Sequence, residues 1–520
     1  MLRFTRYGLT FVSVCVLVGV TCVSKAQERT AVGKSRYKIA YATYFGGNGA
    51  EDAREVIVYP DGSVLVGGQT NSPDLPVTEG VVQSRYAGDD PALGHSGIYS
   101  GDCYLLRLDP DGKKILAATY FGGSKQERSV YGMALDGAEN VVITSATRSP
   151  DLPTTKGCFQ PKYGGPPADW MAAKLSADLK RLVWCTYVGG GGDDFPRGGL
   201  GLDREGNVYL VGETASNDFP TTPGVFQPAR KGVRDAAIVK LKPDGSGLVF
   251  STLLGGGDSE GLMGVRVAGT TQWSAGNIYV AGHTQSADFP VTPGAPQAKH
   301  GGQSDCYIAK LSSDASRLLY ATYLGGAQNE FTEHRLSLAA DGTVMLTGVS
   351  GSPDFPTTAG AFQRRLKGRT DGFLTRLSAD GKRLAFSTLL GGTDGEFFLM
   401  PTPDGEGNTF VAGTTRSRDF PVTPDAVQGR FAGATAPRGY PGDGDGALAI
   451  LSPDGSKLLY ATYLGGSGGD LIRSVALGPR GEIYLVGNTS SGDFPVTQGA
   501  VQTKLRGGTD AVIVKLVPSR

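Results

Sequence analysis

Seven carboxylates recur in one setting along this chain of 520 residues. Glu51, Glu127, Asp194, Glu260, Glu330, Glu396 and Asp470 each stand four residues after the second glycine of a GG pair, as in YATYLGGSGGD at Tyr460. Carboxylates in such number can do three kinds of chemistry. A pair can run glycoside hydrolysis as acid and base. A ring can hold a cation such as Ca2+. Alternatively, each can accept backbone N–H groups from its own glycine-rich turn and tie that turn in place. Seven equal copies favour the third, a repeated structural acid, because nothing singles out one pair for catalysis.

Two further acids recur in step. One opens a ten-residue phrase such as DFPTTPGVFQ at Asp218 or DFPVTQGAVQ at Asp493. Its Thr-Pro-Gly-like centre predicts an N-cap and the first turn of a very short helix, and its Phe or Leu predicts a plug between neighbouring units. The other, at Asp102, Asp169, Asp235, Asp305, Asp371, Asp445 and Asp510, opens an apolar segment, with a base five residues on in six of the seven units. No nucleophile elbow, HExxH, phosphate loop or complete EF-hand pattern is present. GDGDG at Gly442 resembles a Ca2+ loop but lacks its distal Glu. His95, His283, His300 and His334 share no spacing. No catalytic residue, metal ligand or cofactor is therefore expected, with Ca2+ the one option left open.

The elements that must position these acids follow from the repeat. TYxGG-like elements begin at Tyr41, Ala117, Trp184, Phe250, Tyr320, Phe386 and Tyr460, 66 to 76 residues apart. Each unit holds four runs of β-branched and aromatic residues between Gly/Asp turns, the pattern of short antiparallel strands A to D. The 79 glycines agree with many tight turns. Seven such units predict an all-β, seven-bladed propeller. The seventh unit lacks a strand D, and the segment from Tyr37 to Phe45 supplies one. An N-terminal strand is thus expected to complete the C-terminal blade and remove the free edges. The D-to-A and B-to-C connections, with all three sets of acids, fall at one long-loop end.

YATYLGG, GNVYLVGET, DFPTTPGVFQ and DAAIVKL resemble the bacterial SBBP-type β-propeller repeats, over Ser35 to Arg520. The resemblance implies an exported β-propeller and no common activity.

The N-terminus reads as a secretion signal, residues 1–26. Arg3 and Arg6 precede an apolar run, Leu9 to Val23, too short for a comfortable membrane span, and Ser24-Lys25-Ala26 fits a cleavage site. Residues 27–34 then form a short linker and 35–520 the propeller. Without the signal the charge is about −3 and no basic block remains, which argues against nucleic acid. No transmembrane span is expected in the mature chain, and a monomer is. Of the four remaining cysteines, Cys158 and Cys185 lie in one repeat and could pair, while Cys103 and Cys306 occupy equivalent places in different repeats.

Two B-to-C connections break the repetition: Tyr86–Gly101 and Phe431–Gly444, in the blades flanking the seventh. Their Tyr86, Asp89, Asp90, His95, Tyr99, Arg438, Tyr440 and Asp443 form the candidate binding surface. The residue before the Thr or Ser ending strand B also varies: Gln69, Ala146, Glu213, His283, Val349, Thr414 and Asn488. These could line a pocket at the channel mouth. The sequence thus predicts an exported, non-enzymatic binding or scaffold protein (periplasmic, cell-surface or extracellular) that takes an unknown protein or glycan ligand on its long-loop face. The alternatives are a hydrolase or lyase using carboxylates near the channel mouth, and a Ca2+-stabilised propeller.

Overall fold

A computed structural model describes residues 35–88, 100–267, 276–333, 336–433 and 443–519. These form seven antiparallel sheets, with strands consecutive in sequence paired in the order A-B-C-D. Blade 1 is typical: A is Glu51–Val58, B Val64–Thr70, C Asp102–Leu108 and D Ile115–Phe121. In blade 7, A is Asp470–Leu477, B Ile483–Thr489 and C Asp510–Pro518. Its strand D is the N-terminal Tyr37–Phe45, paired antiparallel with strand C from Tyr37↔Pro518 to Phe45↔Ala511. The propeller is closed by its two chain ends, as the short seventh unit predicts.

The core sits between blades. Both faces of strands B and C are covered, so these strands are buried almost throughout. The plug of each ten-residue phrase (Leu75, Leu152, Phe219, Phe289, Phe355, Phe420, Phe494) is at most 5% exposed and enters these layers. The expected short helix is absent: the phrase is a chain of turns. Strand D supplies the reason. Thr78 N–H bonds Ala118 O and Tyr120 N–H bonds Gln83 O, and the same pairing recurs at Thr497 with Ala42 and Tyr44 with Gln502. The phrase lies along the outer edge of strand D, where its backbone finds partners a helix would have supplied internally.

The four cysteines of the described chain are all free thiols, so the Cys158–Cys185 pair is not formed.

The bases five residues into strand C sit at the opposite end from the strand C aspartates. Lys174, Lys240 and Arg376 bond instead to Asp136, Asp203 and Asp341 of their own A-to-B hairpins.

Truncation before Ala50 removes the closing strand and bares the strand C edge, whose Val512, Val514 and Leu516 are fully buried. A long apolar edge is a template for pairing between chains. The truncated protein should elute as a larger species than the parent on size exclusion and melt well below it. An unchanged elution volume and melting temperature would contradict closure by this strand.

Candidate functional site

Each blade joint is built around the recurring acid. Glu51 is fully buried and accepts hydrogen bonds from Gly47 N–H at 3.1 Å, Thr70 Oγ1 at 2.6 Å and Ser72 Oγ at 2.5 Å. It thus ties the turn leaving blade 7 to the end of strand B in blade 1. Glu127, Asp194, Glu260, Glu330, Glu396 and Asp470 all accept the N–H of their own glycine in the same way. The strand C aspartate completes the joint. Asp510 accepts from the Arg506 and Gly507 N–H groups and from Gln502 Nε2, while Gln502 Oε1 accepts from Gly46 N–H.

The glycine pair is required by these acids. A Cβ on Gly46 would lie 2.2 Å from Glu51 Oε2 and 2.8 Å from Asp510 Cγ, and one on Gly47 would lie 2.4 Å from Asp74 Oδ1. Burial raises the acids despite their donors: Glu51, Glu260 and Glu396 to about 7, Glu127 to about 8, Asp194 and Asp470 to about 6. Next to burial, the Asp102 carboxylate raises Glu127 further.

The channel lining does not repeat. One residue after each acid, strand A presents Asp52, Arg128, Phe195, Gly261, Phe331, Phe397 and Leu471. Two residues deeper come Arg54, Val130, Arg197, Met263, Glu333, Leu399 and Arg473. The deeper set falls where the pairing of strands A and B is irregular. Arg54, Met263, Leu399 and Arg473 are skipped by one-residue register shifts. Such a bulge leaves one residue out of the ladder and re-aims its side chain. In blade 5 the departure is larger: strand A is split into Glu330–Phe331 and Ser337–Leu338.

That split brings Glu333 to the far side of the channel. It accepts from Arg54 Nη1 at 3.0 Å and lies 4.0 Å from Arg473 Nη1. Asp52 meets the same two arginines, Arg54 Nε at 2.9 Å and Arg473 Nε at 2.7 Å. Arg54 also lies over the Tyr131 ring, 4.6 Å from its centroid. The cluster joins blades 1, 5 and 7. Asp52, Arg54 and Arg473 are at most 1% exposed, so the channel is filled here by paired charges.

Above this level, at the long-loop end, is a cavity of about 480 Å³. Phe331, Val349 and Phe397 form its apolar wall, the two phenyl rings stacked at 5.9 Å and 22°. Arg197 and Glu333 lie at depth, and Thr370, Thr414 and Arg416 nearer the rim. Arg197 is held by Glu213 Oε1, which also accepts from Arg234 at 3.1 Å. His283 packs 4.8 Å from Phe331, and burial, then the Arg197 charge, lowers it to about 4.

Of the candidate loop residues, Tyr86 packs edge-on to Tyr120, and Asp443 pairs with Arg416 at 3.5 Å. Asp89, Asp90, His95, Tyr99, Arg438 and Tyr440 lie outside the described residues, as do residues 1–34, where the signal and linker are expected. The variable strand B residues Glu213, Val349 and Thr414 belong to the channel mouth. Asp52, Arg54, Arg197, Glu333 and Arg473 escaped the sequence reading. Their signal was available: aligning the seven strands on their acids shows charges at two positions that are apolar in other blades. Among the described residues no group of three or more His, Cys, Asp or Glu could hold a metal.

Residues 183–220 match the family described as SBBP: Beta-propeller repeat. No curated protein matches the chain. Among solved structures it is similar to a europium-containing methanol dehydrogenase, at 11% identity over 93% of each chain, with a TM-score of 0.41. It is also similar to the quinohemoprotein alcohol dehydrogenase of Comamonas testosteroni, at 13% identity over 92% of this chain and 76% of that one, TM-score 0.42. A third is BamB of Moraxella catarrhalis, at 11% identity over 92% and 99%, TM-score 0.36. Likeness at this level says nothing of function.

Glu127→Leu leaves Gly123 N–H and the Thr147 hydroxyl without their acceptor and should cost on the order of 3 kcal/mol by chemical denaturation. Glu127→Gln keeps an acceptor and should cost less. Removing Arg54 takes one of two arginine partners from each of the buried carboxylates Asp52 and Glu333 and should cost about 3 kcal/mol. The raised acids also set a pH dependence. The folded chain holds protons that the unfolded chain loses above about pH 4 to 5, so stability falls as pH rises toward 8. His283 opposes this, losing its contribution as pH falls from 6.5 toward 4. The melting temperature should be higher at pH 5 than at pH 8, and a rise from 5 to 8 would contradict neutral joint acids.

Proposed function

We propose that this chain, which carries the SBBP β-propeller repeat, is an exported binding or scaffold module without catalytic activity, working through its long-loop face. One observation supports this most: the inner ends of strands A and B abandon the repetition kept everywhere around them. A surface that only had to hold blades together would repeat here as well. The varied residues instead enclose a concave site with an apolar wall and a few charged groups, the usual make-up of a small-ligand pocket. Asp52 and Glu333 are tied to arginines at depth, and Glu213 is shared by two arginines. That arrangement suits fixed charges better than proton transfer and weighs against the hydrolase or lyase reading.

Peptide and glycan arrays probed with the purified chain test the proposal, with Phe331→Ala as the paired control. Bound probes that the variant loses at least tenfold would support a binding site at the channel mouth. Probes retained equally by the variant would move the site elsewhere on the face. Steady turnover of a glycan or ester, abolished by Glu333→Gln, would replace the binding reading with an enzymatic one.

A further inference from the structure

Three features of the channel mouth together specify what it can accept. The first is that it is single-ended. Below the cavity the buried cluster of Asp52, Arg54, Arg473 and Glu333 fills the channel. A ligand therefore enters by one end and stops, which suits a small molecule or a chain terminus rather than a strand running through.

The second is the state of Arg197. It lies two residues deeper along strand A than the Phe195 position, on the order of 6 Å by strand rise. Its Nε is spent on Glu213 Oε1 at 2.9 Å, and its guanidinium lies over the Phe195 ring, 4.8 Å from the centroid. These two contacts fix the plane of the group. Its Nη1 and Nη2 donate to no described residue, and the side chain is 37% exposed where it lines the cavity. The edge left over is the two-pronged donor that matches a carboxylate. The two carboxyl groups that share the cavity have other partners: Glu333 is engaged by Arg54 and Arg473, with its charge also acting on Arg197, and Glu396 accepts from Gly392 N–H and Thr415 Oγ1.

The third is the wall. Between the rim and Arg197 the cavity is faced by Phe331, Val349 and Phe397. A ligand reaching Arg197 must lay an apolar body against these side chains.

We infer that the channel mouth binds an apolar group ending in a carboxylate, with the carboxylate forked onto Arg197 and the apolar body against Phe331 and Phe397. This rests on the channel mouth being a binding site, as proposed above, and names its ligand class. Two sources share the chemistry: a free small acid, and the C-terminal residue of a chain with an apolar side chain.

Titration calorimetry of the whole protein with 3-phenylpropionate, N-acetyl-L-phenylalanine and the amide 3-phenylpropionamide tests the inference. The acids should bind and the amide should bind at least tenfold more weakly. Equal binding of the two acids points to free acids, and preference for the acetylated amino acid points to a chain terminus. Arg197→Lys keeps the charge but not the fork and should lose roughly tenfold for the acids, with no change for the amide. A melting curve of each variant separates lost binding from lost folding. Because Arg197 also holds Glu213, Val349→Trp, which fills the cavity from the wall without touching that pair, serves as the second variant and should abolish acid binding. Amide binding equal to acid binding, or no binding of either acid, overturns the inference. Array ligands that need Phe331 while both acids fail would leave the binding reading standing and remove only the carboxylate.

Discussion

The whole ring depends on a buried carboxyl group at each joint. The blades pack face to face through apolar layers, and the short turn between them sets the position of one blade against the next. Here that turn is two glycines pressed against two acids. The recurring acid takes up a backbone N–H and the hydroxyls ending strand B, while the strand C aspartate, through a glutamine, takes up the rest. Desolvating seven carboxyls is costly unless they are hydrogen-bonded or neutral. The joints use both, with donors on every acid and burial that pushes them toward the protonated form. The repeat is conspicuous in the sequence because each joint must solve this same problem with the same few atoms.

Against that uniform frame the channel is the exception. One-residue strand bulges re-aim Arg54, Met263, Leu399 and Arg473 in blades 1, 4, 6 and 7, and these residues differ from blade to blade. Blade 5 goes furthest, giving up the middle of its inner strand so that Glu333 reaches arginines of blades 1 and 7. The result is a closed floor of paired charges under an open, largely apolar mouth. A buried ion cluster gains little stability over well-packed apolar side chains. Its presence here separates the two ends of the channel and holds the groups around the mouth at fixed positions.

Much of the fold was legible because it is periodic. Blade number, strand order, the closing strand and its limits at Tyr37 and Phe45 all follow from counting and from the missing seventh strand D. The site was less legible. The strand B residues such as Glu213, Val349 and Thr414 stood out because they precede an invariant Thr or Ser. Arg54 and Arg473 did not, because a bulge breaks the period-two alternation by which a strand is read, and a charge in an apolar strand then looks like an outward residue. Glu333 was hidden further, since EFTEHRLSL does not look like a strand. The phrase expected to start a helix failed for a different reason. Its capping chemistry was read locally, whereas its hydrogen bonds go to strand D, 26 to 40 residues away in six blades and near the other end of the chain in the seventh.

The edge-covering phrase has a consequence for how the molecule behaves among its own kind. Strand D forms the outer rim of each blade, and a bare rim would offer seven sticky sides. With Thr78 and Gln83, and their counterparts in the other blades, occupying the rim, the backbone groups they reach are already satisfied within one chain. The rim still exposes Leu116, Val249 and Leu319 of strand D, but the backbone beyond them is already paired within the chain. Many copies can sit side by side at high local density, on a surface or in a confined compartment, without zipping together through their strands.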